Sequence, residues 1–244
     1  MPAALGVPQF ADNLNGSPSA VSVTVGNGDA ILVAVTVSLA FGGHTVSVAD
    51  GGASYSEIGS ALQDTTNQQE IRAWYKPNLA SGSYSVAATI GNPVAGQTYA
   101  GICAVAVQGV TTSPLTAYGP GLKQVGPGTG TDAINSGSSQ TPGASTCLVI
   151  TFCQDTSTGI LVPAAGTGFA SAGTGWGFGG APGMRIASKR ITSGNAQGTF
   201  TAQSGGGSVT YLTQMFAFAG LGAASPSDIL VAAQRHARDP LIRM

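Results

Sequence analysis

Residues able to do acid–base or nucleophilic chemistry are few in this chain. Its 244 residues include two histidines, His44 and His236, and two glutamates, Glu57 and Glu70. A hydrolytic triad needs a serine on a sharp turn and a histidine that takes its proton. The sequence contains no Gly-x-Ser-x-Gly, and neither histidine has an obvious partner. We therefore predict no catalytic residue and expect His44, which follows two glycines, to be an exposed turn residue.

The aspartates also fit structural roles better than catalytic ones. Asx side chains at turns bond the turn backbone, and most of the aspartates lie at predicted turns: Asp12, Asp29, Asp50, Asp132 and Asp155. No carboxylate pair suggests glycoside hydrolysis. A calcium site from Asp50, Asp64 and loop carbonyls is the alternative, but no EF-hand ligand spacing supports it. We predict neither a metal nor a cofactor.

The three cysteines, Cys103, Cys147 and Cys153, show no CxxC spacing. Cys147 and Cys153 lie in one β-type run, which separates them by ~20 Å, too far for a disulfide. We predict three buried free thiols, a state that suits a protein made in a reducing cytoplasm.

One glycine motif, Gly175-x-Gly177-x-x-Gly180, has the spacing of a dinucleotide fingerprint. That fingerprint functions between a strand and a helix of a βαβ unit, and no such pattern surrounds it. We interpret residues 166–183 as a flexible surface loop anchored by Phe169, Trp176 and Phe178. Three roles are open for these aromatic rings: they pack inward, contact a neighbouring subunit or stack on sugar rings.

The composition favours association over catalysis. Charged residues make up 8% of the chain, against roughly a quarter in a typical domain, and the net charge is −1. Little charge repulsion therefore keeps copies apart. A chain near neutrality lacks the basic patch that nucleic acid requires. No apolar run reaches the ~18–20 residues of a membrane-spanning helix, and residues 1–10 show no secretory signal. We expect neither nucleic acid nor membrane as a partner.

The pattern of elements indicates an all-β protein. Short runs rich in Val, Thr, Ile and Tyr alternate with Gly, Ser, Asn and Pro clusters, and nothing before residue 225 has helical periodicity. Residues 99–107 form a continuous apolar run, typical of a strand covered on both faces. Residues 111–143 are rich in proline and glycine and are predicted to be loop. The predicted strands cover residues 20–25, 30–39, 45–49, 70–76, 83–90, 99–107, 146–153, 184–192, 198–203 and 209–219.

The two halves of the chain resemble each other. Residues 29–37 match 145–153, and residues 82–86 match 198–202 at the same offset of about 116. Residues 99–110 resemble 211–221 at a slightly shorter offset. We predict an N-terminal arm (1–16), one β-sandwich (17–222) built from halves 17–115 and 133–222, and a C-terminal tail (223–244). Two small domains are the alternative.

The tail begins with a helix-start signal, Ser225-Pro226-Ser227-Asp228. We expect a short helix over residues 229–238 that docks on a neighbouring subunit; the alternative is a helix that folds back on its own domain. The candidate partner-binding residues are Ile229, Leu230, Arg235, Arg238, Leu241 and Arg243 in the tail, with Trp176 and Phe178 in the glycine-rich loop.

Three segments together resemble a known module. They are Glu70-Ile-Arg-Ala-Trp-Tyr-Lys-Pro-Asn78, Ala80-Ser-Gly-Ser-Tyr-Ser-Val86 and Ala104-Val-Ala-Val-Gln-Gly-Val-Thr-Thr-Ser-Pro-Leu115. The chain resembles the jelly-roll-like β-sandwich module of phage virion structural proteins, which also occurs in bacterial surface proteins. The second half repeats the strand pair without the tryptophan. The resemblance covers about residues 15–221 and implies no catalytic residues.

The resemblance and the composition lead to one functional expectation. The chain is expected to be a non-enzymatic phage virion protein, a capsid decoration or cement protein that is assembled in the host cytoplasm and binds the major capsid protein or other virion proteins. The resemblance implies a homotrimer. The alternative is a head or tail fibre that binds host-surface glycans through loops 41–44, 50–56 and 166–183, with Tyr55, Trp176 and Phe178 in contact. An enzyme is the third hypothesis.

Overall fold

The computed structural model of the protein describes residues 3–13, 16–38, 44–51, 53–93, 99–125, 133–137, 140–142, 146–156, 164–175, 184–192, 194–201 and 209–220. Within these ranges the regular secondary structure consists of β-strands, and every strand pairing is antiparallel. The same ranges contain no helix long and apolar enough to cross a membrane. The predicted all-β class is confirmed.

Eleven strands of the first half form two sheets. The strands are β1 (Ala4–Leu5), β2 (Gln9–Asn13), β3 (Val21–Val25), β4 (Asp29–Ser38), β5 (Thr45–Asp50), β6 (Ala53–Ser54), β7 (Ser56–Glu57), β8 (Leu62–Asp64), β9 (Gln69–Leu79), β10 (Gly82–Gly91) and β11 (Tyr99–Gln108). The N-large sheet runs β2-β11-β4-β9, with β1 also beside β11 and with β7 and β8 beside β9. The N-small sheet runs β3-β10-β5-β6.

Eight strands of the second half form two more sheets. They are β12 (Val110–Val125), β13 (Ala133–Asn135), β14 (Cys147–Asp155), β15 (Ala164–Ala165), β16 (Ala170–Gly175), β17 (Met184–Ile191), β18 (Thr199–Thr201) and β19 (Val209–Gly220). The C-large sheet runs β12-β19-β14-β17-β16, and the C-small sheet runs β13-β18-β15.

Both halves have the strand order of a jelly roll. In the first half, β2-β11-β4-β9 and β3-β10-β5-β6 are the two four-stranded sheets of that fold. The second half repeats the order as β12-β19-β14-β17 and β13-β18-β15. The matching sequence segments occupy equivalent strands: β4 and β14, β10 and β18, β11 and β19. The prediction of a jelly-roll-like antiparallel fold from two similar halves is confirmed.

The two large sheets pack face to face, so the four sheets form successive layers. One core cluster combines Leu32 and Val105 of the N-large sheet with Ile150 and Phe216 of the C-large sheet. Successive side chains of a strand point to opposite faces. Along β4, the even-numbered Ala30, Leu32 and Ala34 therefore join this central cluster. The odd-numbered Ile31, Val33, Val35 and Val37 pack toward the N-small sheet. Burial on both faces explains the continuous apolar runs of these strands.

Asp29 connects the β3–β4 turn to the junction between the two rolls. Its Oδ2 accepts a hydrogen bond from the Gly26 N–H at 2.7 Å, and its Oδ1 accepts one from the Gly109 N–H at 3.0 Å. Gly109 lies between β11 and β12 with φ of +63°, a left-handed conformation that favours glycine. One buried carboxylate thus fixes both the local turn and the passage from the first roll to the second.

Two predicted loops contain strands. β12 covers Val110–Val125 in a stretch predicted to be loop, and it includes Pro114 and Pro120. Proline is tolerated there because β12 lies at the edge of its sheet. Ala170–Gly175, in the predicted loop 166–183, is strand β16, which pairs with β17. Residues 3–13 of the predicted N-terminal arm lie along β11 through β1 and β2.

Candidate functional site

Most ionisable side chains of the first roll converge on the inner face of β9. Glu70, Arg72 and Lys76 occupy alternate positions of this strand and share the face that looks toward the N-small sheet. Trp74, between them, belongs to the core cluster on that face. The strand therefore places two positive groups and one negative group at the rim of the first roll, beside one aromatic core residue.

Glu70 is the centre of the larger of two polar networks. Its side chain is 1% exposed. The carboxylate lies 2.7 Å from His44 Nε2 and accepts hydrogen bonds from Gln63 Nε2 and Arg72 Nε, both at 2.9 Å. Glu57 lies 3.5 Å from Arg72 Nη1. Burial raises the pKa of Glu70, but the hydrogen bonds from His44, Gln63 and Arg72 outweigh burial and hold that pKa below its usual range.

His44 is therefore not the exposed turn residue that the sequence predicts. Its side chain is 7% exposed and is bound to Glu70, a partner 26 positions along the chain that local sequence does not reveal. A histidine beside a carboxylate is two thirds of a hydrolytic triad, and the third member is a hydroxyl or thiol nucleophile. Among the described residues, no serine, threonine or cysteine bonds His44. The geometry is that of a buried hydrogen bond between the imidazole and the carboxylate.

The second network surrounds Asp50. Lys76 Nζ lies 2.9 Å from both carboxylate oxygens of Asp50, and the Tyr55 hydroxyl donates to Oδ2 at 3.1 Å. Lys76 also lies over the rings of Tyr55 and Tyr84, at 5.4 and 5.9 Å from their centroids. Burial and the neighbouring Asp50 raise the pKa of Tyr55. Tyr55, expected on a contact surface in the fibre hypothesis, is buried at 6% exposure.

Asp64 ties the first roll to the second. Its carboxylate accepts hydrogen bonds from the Thr66 N–H at 3.0 Å, from Asn67 Nδ2 at 2.6 Å and from Thr156 Oγ1 at 2.7 Å. Burial raises the pKa of Asp64, but the bonds from Thr156, Asn67 and the turn backbone outweigh it and lower that pKa. Asp50 and Asp64 belong to separate networks. Within the described ranges, no three His, Cys, Asp or Glu side chains are grouped so that they could hold a metal ion.

The three cysteines are buried thiols that form no disulfide, as predicted. Burial raises the pKa of Cys103 and raises the pKa of Cys153 to about 12. Reactive cysteines are exposed thiolates. Neither thiol therefore has the properties of a nucleophile at neutral pH.

Few of the strongly exposed residues that the structure describes are charged. Glu57 and Arg190 are the charged residues among the exposed side chains that the structure describes, and Val7 is the large hydrophobic one. No aromatic side chain in this part of the chain is exposed. The outer face of the N-small sheet consists of small uncharged residues, among them Ser22, Thr24, Ser47, Ser83, Ser85 and Thr89. The alternation of Ser and Thr with Val in β3 is the sequence signal for this face.

The predicted partner-binding residues lie outside the described residues: Trp176, Phe178, Ile229, Leu230, Arg235, Arg238, Leu241 and Arg243. Phe169, the third loop aromatic, is described. It packs against two core clusters of the second roll, and Lys189 Nζ lies 5.8 Å from its ring centroid. The Phe169 ring therefore packs inward, one of the three roles that the sequence leaves open.

No protein-family model matches the chain, and no curated protein matches it. Similar solved structures include those described as the triple jelly roll fold and turret assembly in an archaeal virus (TM-score 0.28), the atomic structure of Sulfolobus Turreted Icosahedral Virus (0.27) and the major capsid protein P2 from Bacteriophage PM2 (0.25). Each is 10% identical to this chain and covers 88% of it. The chain spans 60% and 61% of the first two chains and 99% of the third. TM-scores this low mark a distant likeness, and the fold assignment rests on the strand order.

Proposed function

We propose that this chain is a non-enzymatic structural protein of a bacteriophage virion, a capsid decoration or cement protein that binds the head surface and bridges its subunits. The observation that carries the proposal is the exposed surface. Among the strongly exposed residues that the structure describes, two are charged, Glu57 and Arg190. Covering such a surface removes few charges from water. Contact therefore avoids the desolvation cost that opposes burial of charged groups.

The ionisable groups support a structural role. Glu70, Asp50, Asp64 and Asp29 are all engaged with donors that hold turns, strands and rolls together. A catalytic acid or base needs a free position beside a substrate and a pKa near the operating pH. Hydrogen bonds instead lower the pKa values of Glu70 and Asp64 below their ordinary range. These carboxylates remain ionised at neutral pH and serve as fixed acceptors.

The expected partners are the major capsid protein, other virion proteins and further copies of this chain, in a homotrimer as the resemblance implies. Burial of apolar and small uncharged groups would supply the contact energy, at ~25 cal/mol per Å² of apolar surface. Residues 225–244 are the segment proposed to reach a neighbouring subunit. Their composition supports this role, because the segment combines apolar and cationic side chains. It contains five large aliphatic residues, Ile229, Leu230, Val231, Leu241 and Ile242, and three arginines, Arg235, Arg238 and Arg243.

Co-sedimentation with capsids tests the proposal. Heads assembled without this chain are incubated with purified protein and pelleted, and we expect saturable binding at a fixed number of copies per head. Deletion of residues 225–244 is expected to weaken binding while circular dichroism of the β-fold is unchanged. Protein that stays in the supernatant at every concentration would reject the capsid role, and binding unchanged by the deletion would reject the role of the tail.

A further inference from the structure

The edges of the four sheets differ in how they are protected against pairing with another chain. Edge strands of native proteins commonly carry proline, charge or a bulge, or are very short. β12 contains Pro114 and Pro120, β2 contains Asp12, and β16 has a register shift between Ser171 and Gly173. The edge strands β6, β7 and β15 are two residues long. Each of these edges therefore carries one of the protective features.

β3 is an edge strand with none of these protections. It has five residues, Val21–Val25, without charge, proline or glycine. It pairs with β10 over its whole length without a register shift, and β10 is its strand partner among the described residues. The valines point into the core, whereas Ser22 and Thr24 are exposed. A strand edge without a partner can add a further strand through its backbone N–H and C=O groups.

The sequence of β3 is complementary to itself in the antiparallel direction. Val-Ser-Val-Thr-Val is nearly symmetric about Val23, so pairing two copies places Val23 opposite Val23, Val21 opposite Val25, and Ser22 opposite Thr24. Pairs of β-branched residues and Ser–Thr pairs are favourable cross-strand neighbours. An isologous contact brings the same patch from each copy together across a two-fold axis. We propose that β3 pairs with β3 of a second copy and joins two N-small sheets into one continuous eight-stranded sheet.

The surroundings of β3 suit this partner. The neighbouring outer face is uncharged: Ser22 Oγ lies 2.9 Å from Ser83 Oγ, and Ser85 and Ser47 follow along the sheet. Two copies therefore approach without like-charge repulsion at the axis. A two-fold contact closes a pair of chains, so it is distinct from the contact that would close a trimer and could join neighbouring trimers. The inference goes beyond the proposed function, because it concerns the isolated protein and does not require a capsid.

Paired charge variants at the edge test the contact. In Ser22→Lys/Thr24→Lys, each introduced lysine faces another lysine across the axis. In Ser22→Lys/Thr24→Glu, each lysine faces a glutamate. We expect the first variant to raise the self-association constant Kd about tenfold, since it creates two like-charge pairs. The second is expected to restore or strengthen association. Sedimentation equilibrium across a dilution series measures both, and circular dichroism checks that the fold is intact.

A matched control places two lysines on the same sheet away from β3, at Ser47→Lys/Ser54→Lys in β5 and β6, both of them exposed positions. This variant is expected to associate like the wild type. Amide hydrogen exchange supplies an independent readout, because protection of residues 21–25 should rise with protein concentration. The proposal is overturned if the wild-type chain stays monomeric across a 100-fold range of protein concentration. It is also overturned if the wild type associates and the edge variants associate equally well. Capsid binding is measured separately, so either proposal can fail alone.

Discussion

At the scale of single residues, position 70 illustrates how a buried charge is accommodated. A carboxylate that leaves water without partners costs several kcal/mol. Glu70 avoids most of this cost because His44, Gln63 and Arg72 direct three donors at its two oxygens. The donors come from the residue before β5, from β8 and from β9 itself. The carboxylate thereby cross-links three separate parts of the first roll at its rim.

Replacing this carboxylate should destabilise the protein. In Glu70→Gln, Arg72 loses its closest charged partner, and at least one of the three donors loses its acceptor. We expect the free energy of unfolding to fall by about 2 kcal/mol, measured by urea titration. Gln63→Ala, which removes one exposed donor and leaves the carboxylate in place, is the control and should cost less than half as much. Equal losses in the two variants would contradict the central position of Glu70.

The same carboxylates predict an acid-sensitive stability. The folded-state pKa values of Glu70 and Asp64 are lowered, so near pH 4 the unfolded chain binds more protons than the folded chain. Their stabilising contribution is complete above the ordinary pKa values of about 4. It is lost as the pH falls through the lower folded-state values. The difference in unfolding free energy between wild type and Glu70→Gln should shrink between pH 6 and pH 3; a difference that widens there would refute the assignment.

The thiols predict a simple chemical result. Cys103, Cys147 and Cys153 are buried in the folded protein. An aromatic disulfide reagent at pH 8 is expected to titrate none of them within minutes in the native state, and all three in 6 M guanidinium. Burial blocks access, and the raised pKa values of Cys103 and Cys153 suppress the thiolate. Rapid reaction of one native thiol would show that its strand opens locally.

At the scale of elements, the long central strands are predictable from sequence and the edges are not. β4, β11 and β14 are apolar without alternation because they are covered on both faces. β12 was missed because its prolines indicate a loop, and an edge position tolerates them. The contact between His44 and Glu70 was missed because it depends on tertiary packing across 26 positions.

The two rolls also diverge at equivalent strand positions. In the register, Val33 faces Trp74 in the first roll, and Val149, its counterpart in the repeat, faces Lys189 in the second. Trp74 is buried in the core of the first roll, whereas Lys189 lies over the Phe169 ring. The tryptophan absent from the second half is therefore replaced by a cation that contacts an aromatic residue from a neighbouring segment. The contact between Lys189 and Phe169 could not be predicted from the sequence repeat alone.

The junction between the rolls depends on one acceptor. In Asp29→Ala, the backbone N–H groups of Gly26 and Gly109 lose their partner. We expect a loss of about 2 kcal/mol in unfolding free energy, measured by thermal or urea denaturation. Asp29→Asn keeps one acceptor oxygen and should lose less. If the alanine variant is as stable as the wild type, solvent satisfies these groups and the junction does not depend on Asp29.

At the scale of the whole molecule, the two rolls share a core and should unfold together. Phe216 of the second roll is fully buried in the cluster that contains Leu32 and Val105 of the first. Phe216→Ala should cost about 3–5 kcal/mol and shift one cooperative transition, without splitting it. In a Trp176→Phe background, tryptophan fluorescence reports on Trp74 of the first roll and should follow circular dichroism. A fluorescence midpoint left unchanged by this second-roll substitution would show that the rolls are energetically independent.

The stacking of one large sheet on the other has a consequence for synthesis on the ribosome. The first roll is complete at Gln108, but β19, which supplies part of its apolar cover, ends at Gly220. At roughly 5–20 residues per second, this cover arrives about 6–22 s later. During that interval, Leu32, Ile71 and Val105 lie on an apolar sheet face that is still uncovered. Nascent chains of the same mRNA lie close together on the polysome, so their uncovered faces can meet. Yield in the host should therefore depend on chaperones that shield emerging chains, and on how fast the second half is translated.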